Sequence, residues 1–178
     1  MVWTALPTFT AGQPVTAAQL AALVADLMET APAKATGSGT FFVGSGVNSI
    51  TERRVTQAFE PGSDTTTSSA FGDLTGGGFP ATTATTGTLA LLFLAASMHC
   101  NTANGMTAMS LNVSGATTVT AGDGAALRHT SAVVNANMTA SIALPYSLTA
   151  GSNTFTAQYR VTVGTGTFGS RRVVVFPF

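Results

Sequence analysis

The side chains that could do chemistry in this chain are few and scattered. Its histidines are His99 and His129, and its one cysteine is Cys100. A metal centre needs several His, Cys, Asp or Glu groups converging on one point. No HxH, HxxxH or CxxC spacing supplies that convergence. His99 and Cys100 are neighbours, but adjacent strand residues point to opposite faces, so they are not expected to share a ligand. Asp123 lies between Gly122 and Gly124 and offers one carboxylate where calcium takes several. A turn is the expected use of that triplet, and no metal or cofactor is expected.

Acid–base and nucleophilic equipment is equally thin. No G-x-S-x-G elbow occurs. A Ser–His–Asp set has to meet only in space, which spacing does not decide. Paired carboxylates for glycoside hydrolysis would have to come from Glu52, Glu60, Asp64, Asp73 and Asp123. Glu60, Asp64 and Asp73 cluster in sequence but read as solvated loop acids. Gly76–Gly78 runs into Phe79–Pro80 rather than a helix, so it does not cradle phosphate. A sugar site would use an aromatic with a polar handle: Trp3, Tyr146 or Tyr159. Tyr159 falls on an apolar strand face and is expected in the core. Tyr146, after Pro145, is the best candidate for an exposed glycan contact. Arg53–Arg54 and Arg171–Arg172 are isolated pairs, expected to face a partner or solvent rather than phosphate.

Composition explains the scarcity. Of 178 residues, 8% are charged and 45% hydrophobic, with equal numbers of basic and acidic groups. Ordinary globular chains carry about 25% charged residues. Here Thr, Ser, Gly, Ala and Asn take their place, so the surface must be neutral and polar. Such a surface resists association poorly, and little charge has to be desolvated when it is buried in a contact. Nucleic acid and anionic membranes need clustered Lys and Arg, so neither is an expected partner. The longest apolar run, Leu89 to Met98, is too short to cross a bilayer as a helix. The N-terminus lacks a basic start followed by a long apolar stretch, so a cytoplasm is the expected place of synthesis.

The elements that would position these groups divide the chain in three. Residues 1–31 form an extended arm and one short helix. Trp3, Leu6 and Phe9 sit on the arm, where Pro7 and Pro14 preclude a regular helix. Thr16 and Gln19 match a capping box. Leu20, Leu23, Val24, Leu27 and Met28 follow on one helical stripe. These eight apolar residues are the expected anchoring and oligomerisation set. Residues 32–48 read as a Gly/Ser-rich linker, within which 41–43 could extend. Residues 49–178 read as an antiparallel β-sandwich, jelly-roll or Ig-like. Its expected strands are 50–59, 70–74, 88–99, 106–113, 125–134, 139–148, 154–163 and 171–178. The run 89–98 is apolar on both faces and is expected to be central and covered on both sides. The apolar end, VVVFPF, is expected to be buried in the fold or an interface.

The opening WTALPTFTAGQPVTAAQLAAL resembles the N-termini of small structural proteins of tailed bacteriophages, notably those infecting actinobacteria. The closing GSNTFTAQYRVTVGTGTFGSRRVVVFPF is similar to the last two strands of phage fibre and decoration domains. The resemblance covers about 28 residues at each end. It implies a non-enzymatic virion protein, a capsid decoration or head-fibre protein. Such a protein would form a homotrimer, attach to the major capsid protein or another virion protein through its arm, and project a β-domain. The alternative is a tail fibre or receptor-binding tip that recognises a host surface glycan.

Overall fold

The computed structural model describes Thr8 and residues 11–28, 35–47 and 49–178, with helix side chains described as far as Ala25. Trp3, Leu6, Phe9 and the side chains of Leu27 and Met28 lie outside that description. The chain forms two compact units, residues 1–54 and 55–178.

The first unit holds helix α1, Ala17–Met28. Its capping box is closed on both sides. The Gln19 amide donates to Thr16 Oγ1 at 3.2 Å, and the Thr16 amide donates to Gln19 Oε1 at 2.9 Å. Two amides of the first turn that the helix cannot satisfy thus find partners. The Gln19 side-chain amide also donates to the Thr8 carbonyl, tying the arm to the helix start.

Strands β1, Thr40–Gly46, and β2, Ser49–Arg54, form an antiparallel hairpin. Thr36 braces it, since its amide and hydroxyl both donate to the Glu52 carboxylate. Those donations, the hydroxyl foremost, hold the Glu52 carboxyl below its ordinary range. The hairpin refines the sequence reading in two places. The short strand that 41–43 could form within the linker of 32–48 is present and longer, as β1, and the strand expected over 50–59 is divided between two units. Phe41, Phe42 and Val43 pair with Arg53, Glu52 and Thr51, and Ile50 lies opposite Gly44.

The second unit is a β-sandwich. It comprises β3 (Thr56–Thr66), β4 (Ala81–Thr86), β5 (Leu89–Cys100), β6 (Met106–Gly115), β7 (Leu127–Thr130), β8 (Met138–Ser147), β9 (Gly151–Val161) and β10 (Gly166–Pro177). One antiparallel sheet has the order β3-β10-β5-β8 and the other β4-β9-β6-β7. Eight strands divided four and four, with the last strand between the first and third, make a jelly roll rather than an Ig-like sandwich. The core comes from alternate residues of the facing strands: Leu92, Leu94 and Met98 on one sheet, Met109, Leu111, Phe155 and Tyr159 on the other.

One strand was not expected, and three expected strands differ most in their bounds. Residues 81–86, ATTATT, carry no large apolar group, yet they pair with β9 and turn Ala84 and Thr86 inward. Residues 70–74 make only a single bridge, Gly72 to Tyr159. Residues 125–134 shorten to β7 behind a one-turn helix, Asp123–Ala125. Strand β10 starts earlier than 171 and is bulged at Ser170, whose φ is 49°. Before the bulge Phe168 faces the core; after it Arg171, Val173 and Val175 do. The extra residue therefore rotates an arginine into the interior.

Candidate functional site

The side chains with chemical potential do not converge. Cys100 is buried, and its thiol donates to the Val163 carbonyl at 3.2 Å. His99, next to it, is half-buried and faces the other way. His129, on β7, meets the Ala136 carbonyl through Nε2 at 2.9 Å. Asp123 is engaged by Arg160, whose Nε and Nη2 donate to the carboxylate at 2.7–3.0 Å. Arg160 also lies over the Phe71 ring. Among the described residues no three His, Cys, Asp or Glu groups sit together as metal ligands, and no helix is long and apolar enough to cross a membrane.

Arg171 departs most from expectation. The sequence places it toward a partner or solvent, and the structure buries it to 2% exposure. Its Nη1 donates to the Gly78 carbonyl and its Nη2 to the Gly62 carbonyl at 3.4 Å. The guanidinium lies 5.9 Å from the centre of the Tyr159 ring. Glu60 pairs with Arg171 across the strands, and both side-chain ends lie beside Gly78. The Gly76–Gly78 loop is thus held by an interior cation rather than built around a ligand.

Tyr159 is fully buried as expected, stacked edge-on against Phe168 at 4.9 Å. Its hydroxyl makes no hydrogen bond of ordinary geometry among the described residues, and Arg171 is the donor whose charge and N–H groups act on it. Burial is the first cause of a phenol pKa held well above the ordinary range; the Arg171 charge opposes it, and Glu60 and Asp73 add to it. The sign of the pH effect follows. The unfolded phenol ionises near pH 10 while the folded one stays protonated, so above that pH the unfolded chain binds fewer protons. Stability from this group is intact below about pH 10 and falls by about 1.4 kcal/mol per pH unit above it. Tyr159→Phe should flatten the alkaline loss by about one proton, read from urea midpoints across the alkaline range. An unchanged slope would contradict the assignment.

Tyr146 is not the exposed platform expected of it. It is half-buried on the inward side of β8, packed against the core, and burial raises its pKa. Strand alternation decides this, because Tyr146 shares its face with Met138, Ala140, Ile142 and Leu144.

The features that remain available for function are surfaces. On α1, Leu20, Leu23 and Val24 are 57%, 37% and 51% exposed. In the β3-β10-β5-β8 sheet one stretch of the two central strands also turns apolar residues outward, with polar Ser97, His99 and Arg172 beyond it. Leu91 and Phe93 of β5 lie beside Phe176 and Val174 of β10, and the rings of Phe93 and Phe176 meet edge-on at 5.6 Å. Phe59 of β3 is exposed beneath the Arg172 guanidinium, 4.6 Å from the ring centre. The run 89–98 is therefore central as expected, but the opposite sheet covers only its inner side. A clue was present in its sequence: apolar residues at both parities demand two coverings, and the sandwich supplies one.

A scan against protein-family models finds no match, and a search of curated proteins finds no match either.

Proposed function

We propose that this chain is a virion structural protein of a tailed bacteriophage, a capsid decoration or head-fibre protein with no enzymatic role. One observation carries the reading: a capped helix with exposed Leu20, Leu23 and Val24 belongs to a unit separate from a low-charge jelly roll. A helix of about three turns is marginal alone and gains stability by burying an apolar face against something else. The arm and helix, residues 1–31, would anchor the chain to the major capsid protein or another virion protein, and the jelly roll would project as part of a homo-oligomer. Jelly rolls also serve as capsid and lectin domains, so the fold alone does not choose between roles. The tail-tip alternative loses weight because Tyr146 faces the core.

Particles assembled with a chain lacking residues 1–31 should carry none of it, while the truncated chain remains soluble and folded. Full occupancy by the truncated chain overturns the reading. A copy number in the hundreds per particle would mark decoration, and a handful would mark the tail.

A further inference from the structure

The two sheets of the jelly roll present opposite outer faces. The β4-β9-β6-β7 sheet turns Thr83, Thr85, Thr154, Thr156, Gln158 and Arg160 outward, a face built for water. The β3-β10-β5-β8 sheet does not. Its two central strands raise a ridge of Leu91, Phe93, Val174 and Phe176. Beside the ridge, the edge strand β8 lays down a shelf of small exposed residues, Ser141, Ala143 and Pro145, level with Ala95, Phe93 and Leu91. A chain that makes one sheet face polar could have made the other polar at no cost to its core, because strand faces are independent.

We infer that the outer face of the β3-β10-β5-β8 sheet packs on a second copy of this chain. Three observations select that occupant. The ridge and the shelf lie side by side on one face, so a two-fold axis through that face would set the ridge of each copy over the shelf of the other and close the pair. The face carries one cation among these rows, Arg172, and it is already placed over Phe59; two copies therefore meet with little like-charge repulsion. Four strands by about nine residues give roughly 27 Å by 19 Å at ordinary strand spacings, on the order of 500 Å2 per copy. Two such faces reach about 1,000 Å2, the size at which a specific interface becomes sustainable.

This deepens the assembly reading but does not depend on particle attachment, and its test is separate. Sedimentation equilibrium of the full chain should show a concentration-dependent oligomer. The double substitution Leu91→Lys/Phe93→Lys should weaken association about a hundredfold or more, because each lysine would be buried without a partner. Should that variant misfold, labelling decides. The thiol introduced by Ala143→Cys should react with a maleimide progressively more slowly as protein concentration rises, with the buried Cys100 as internal reference. A monomer with a freely reactive thiol at every concentration overturns the inference. So does a monomer whose thiol is protected at every concentration, which would mean that residues 1–31 of the same chain cover the face. An oligomer indifferent to both lysines, with the thiol still reactive, places assembly elsewhere and also overturns it.

Discussion

Replacing Arg171 with alanine is expected to destabilise the jelly roll by about 3–5 kcal/mol, the range for breaking a buried charged network. The size follows from what the side chain touches. Its guanidinium satisfies the carbonyls of Gly78 and Gly62 and packs over Tyr159. Alanine would leave a void beside the largest buried ring and two carbonyls, Gly78 in the loop and Gly62 in β3, without their donor. Arg171→Met separates the two effects. Methionine refills most of the stem volume and buries no charge, and buried ionic groups are often replaceable by apolar ones of similar size. Its cost should be the smaller one, about 1–2 kcal/mol, near the net worth of the lost hydrogen bonds, and the difference from alanine is the packing share. Urea midpoints at unchanged slope would measure both. Equal losses would mean that the charge, not the packing, holds the Gly76–Gly78 loop.

Arg171 also marks where the sequence stopped being informative. The alternation of Phe155, Ala157, Tyr159 and Val161 is local, and it predicts both the strand and its buried face. In 171–178 alternation could not choose a face, because Val173 and Val175 and their neighbours Val174 and Phe176 are all apolar, and the bulge at Ser170 changes which parity faces inward. A bulge at a serine leaves no composition signal. The strand 81–86 was hidden for a related reason: its inward residues are Ala84 and Thr86, and their burial comes from the neighbours they pair with rather than from their own hydrophobicity. The capping box was legible because both its bonds are local, three residues apart. The candidate surfaces were half legible. The helical stripe could be read from spacing. The sheet face could be read only along 89–98, whose run is apolar at both parities; that Phe93 meets Phe176, and Phe59 meets Arg172, follows from pairings between distant strands.

Leu94→Ala and Phe93→Ala, one position apart on β5, should behave differently enough to test the inside–outside assignment. Leu94 is fully buried between the sheets. Its truncation should cost about 3–4 kcal/mol, combining lost transfer energy with a cavity that a two-sided β-core collapses poorly. That loss should not depend on protein concentration, because the cavity lies within one chain. Phe93 faces out and is half-buried, and its defined aromatic contact is the edge-on meeting with Phe176. In dilute protein its truncation should cost about 1 kcal/mol, the scale of one aromatic pair. As concentration rises the penalty should grow, because association stabilises the native chain by mass action and the alanine variant forfeits that share. The Leu94 shift is therefore a constant and the Phe93 shift a slope against concentration. If the Phe93 penalty stays flat, the apolar outer face contributes nothing beyond its own sheet. If Leu94→Ala costs no more than Phe93→Ala, the register that places even-numbered β5 residues inside is wrong, and with it the jelly-roll pairing of β5 with β10.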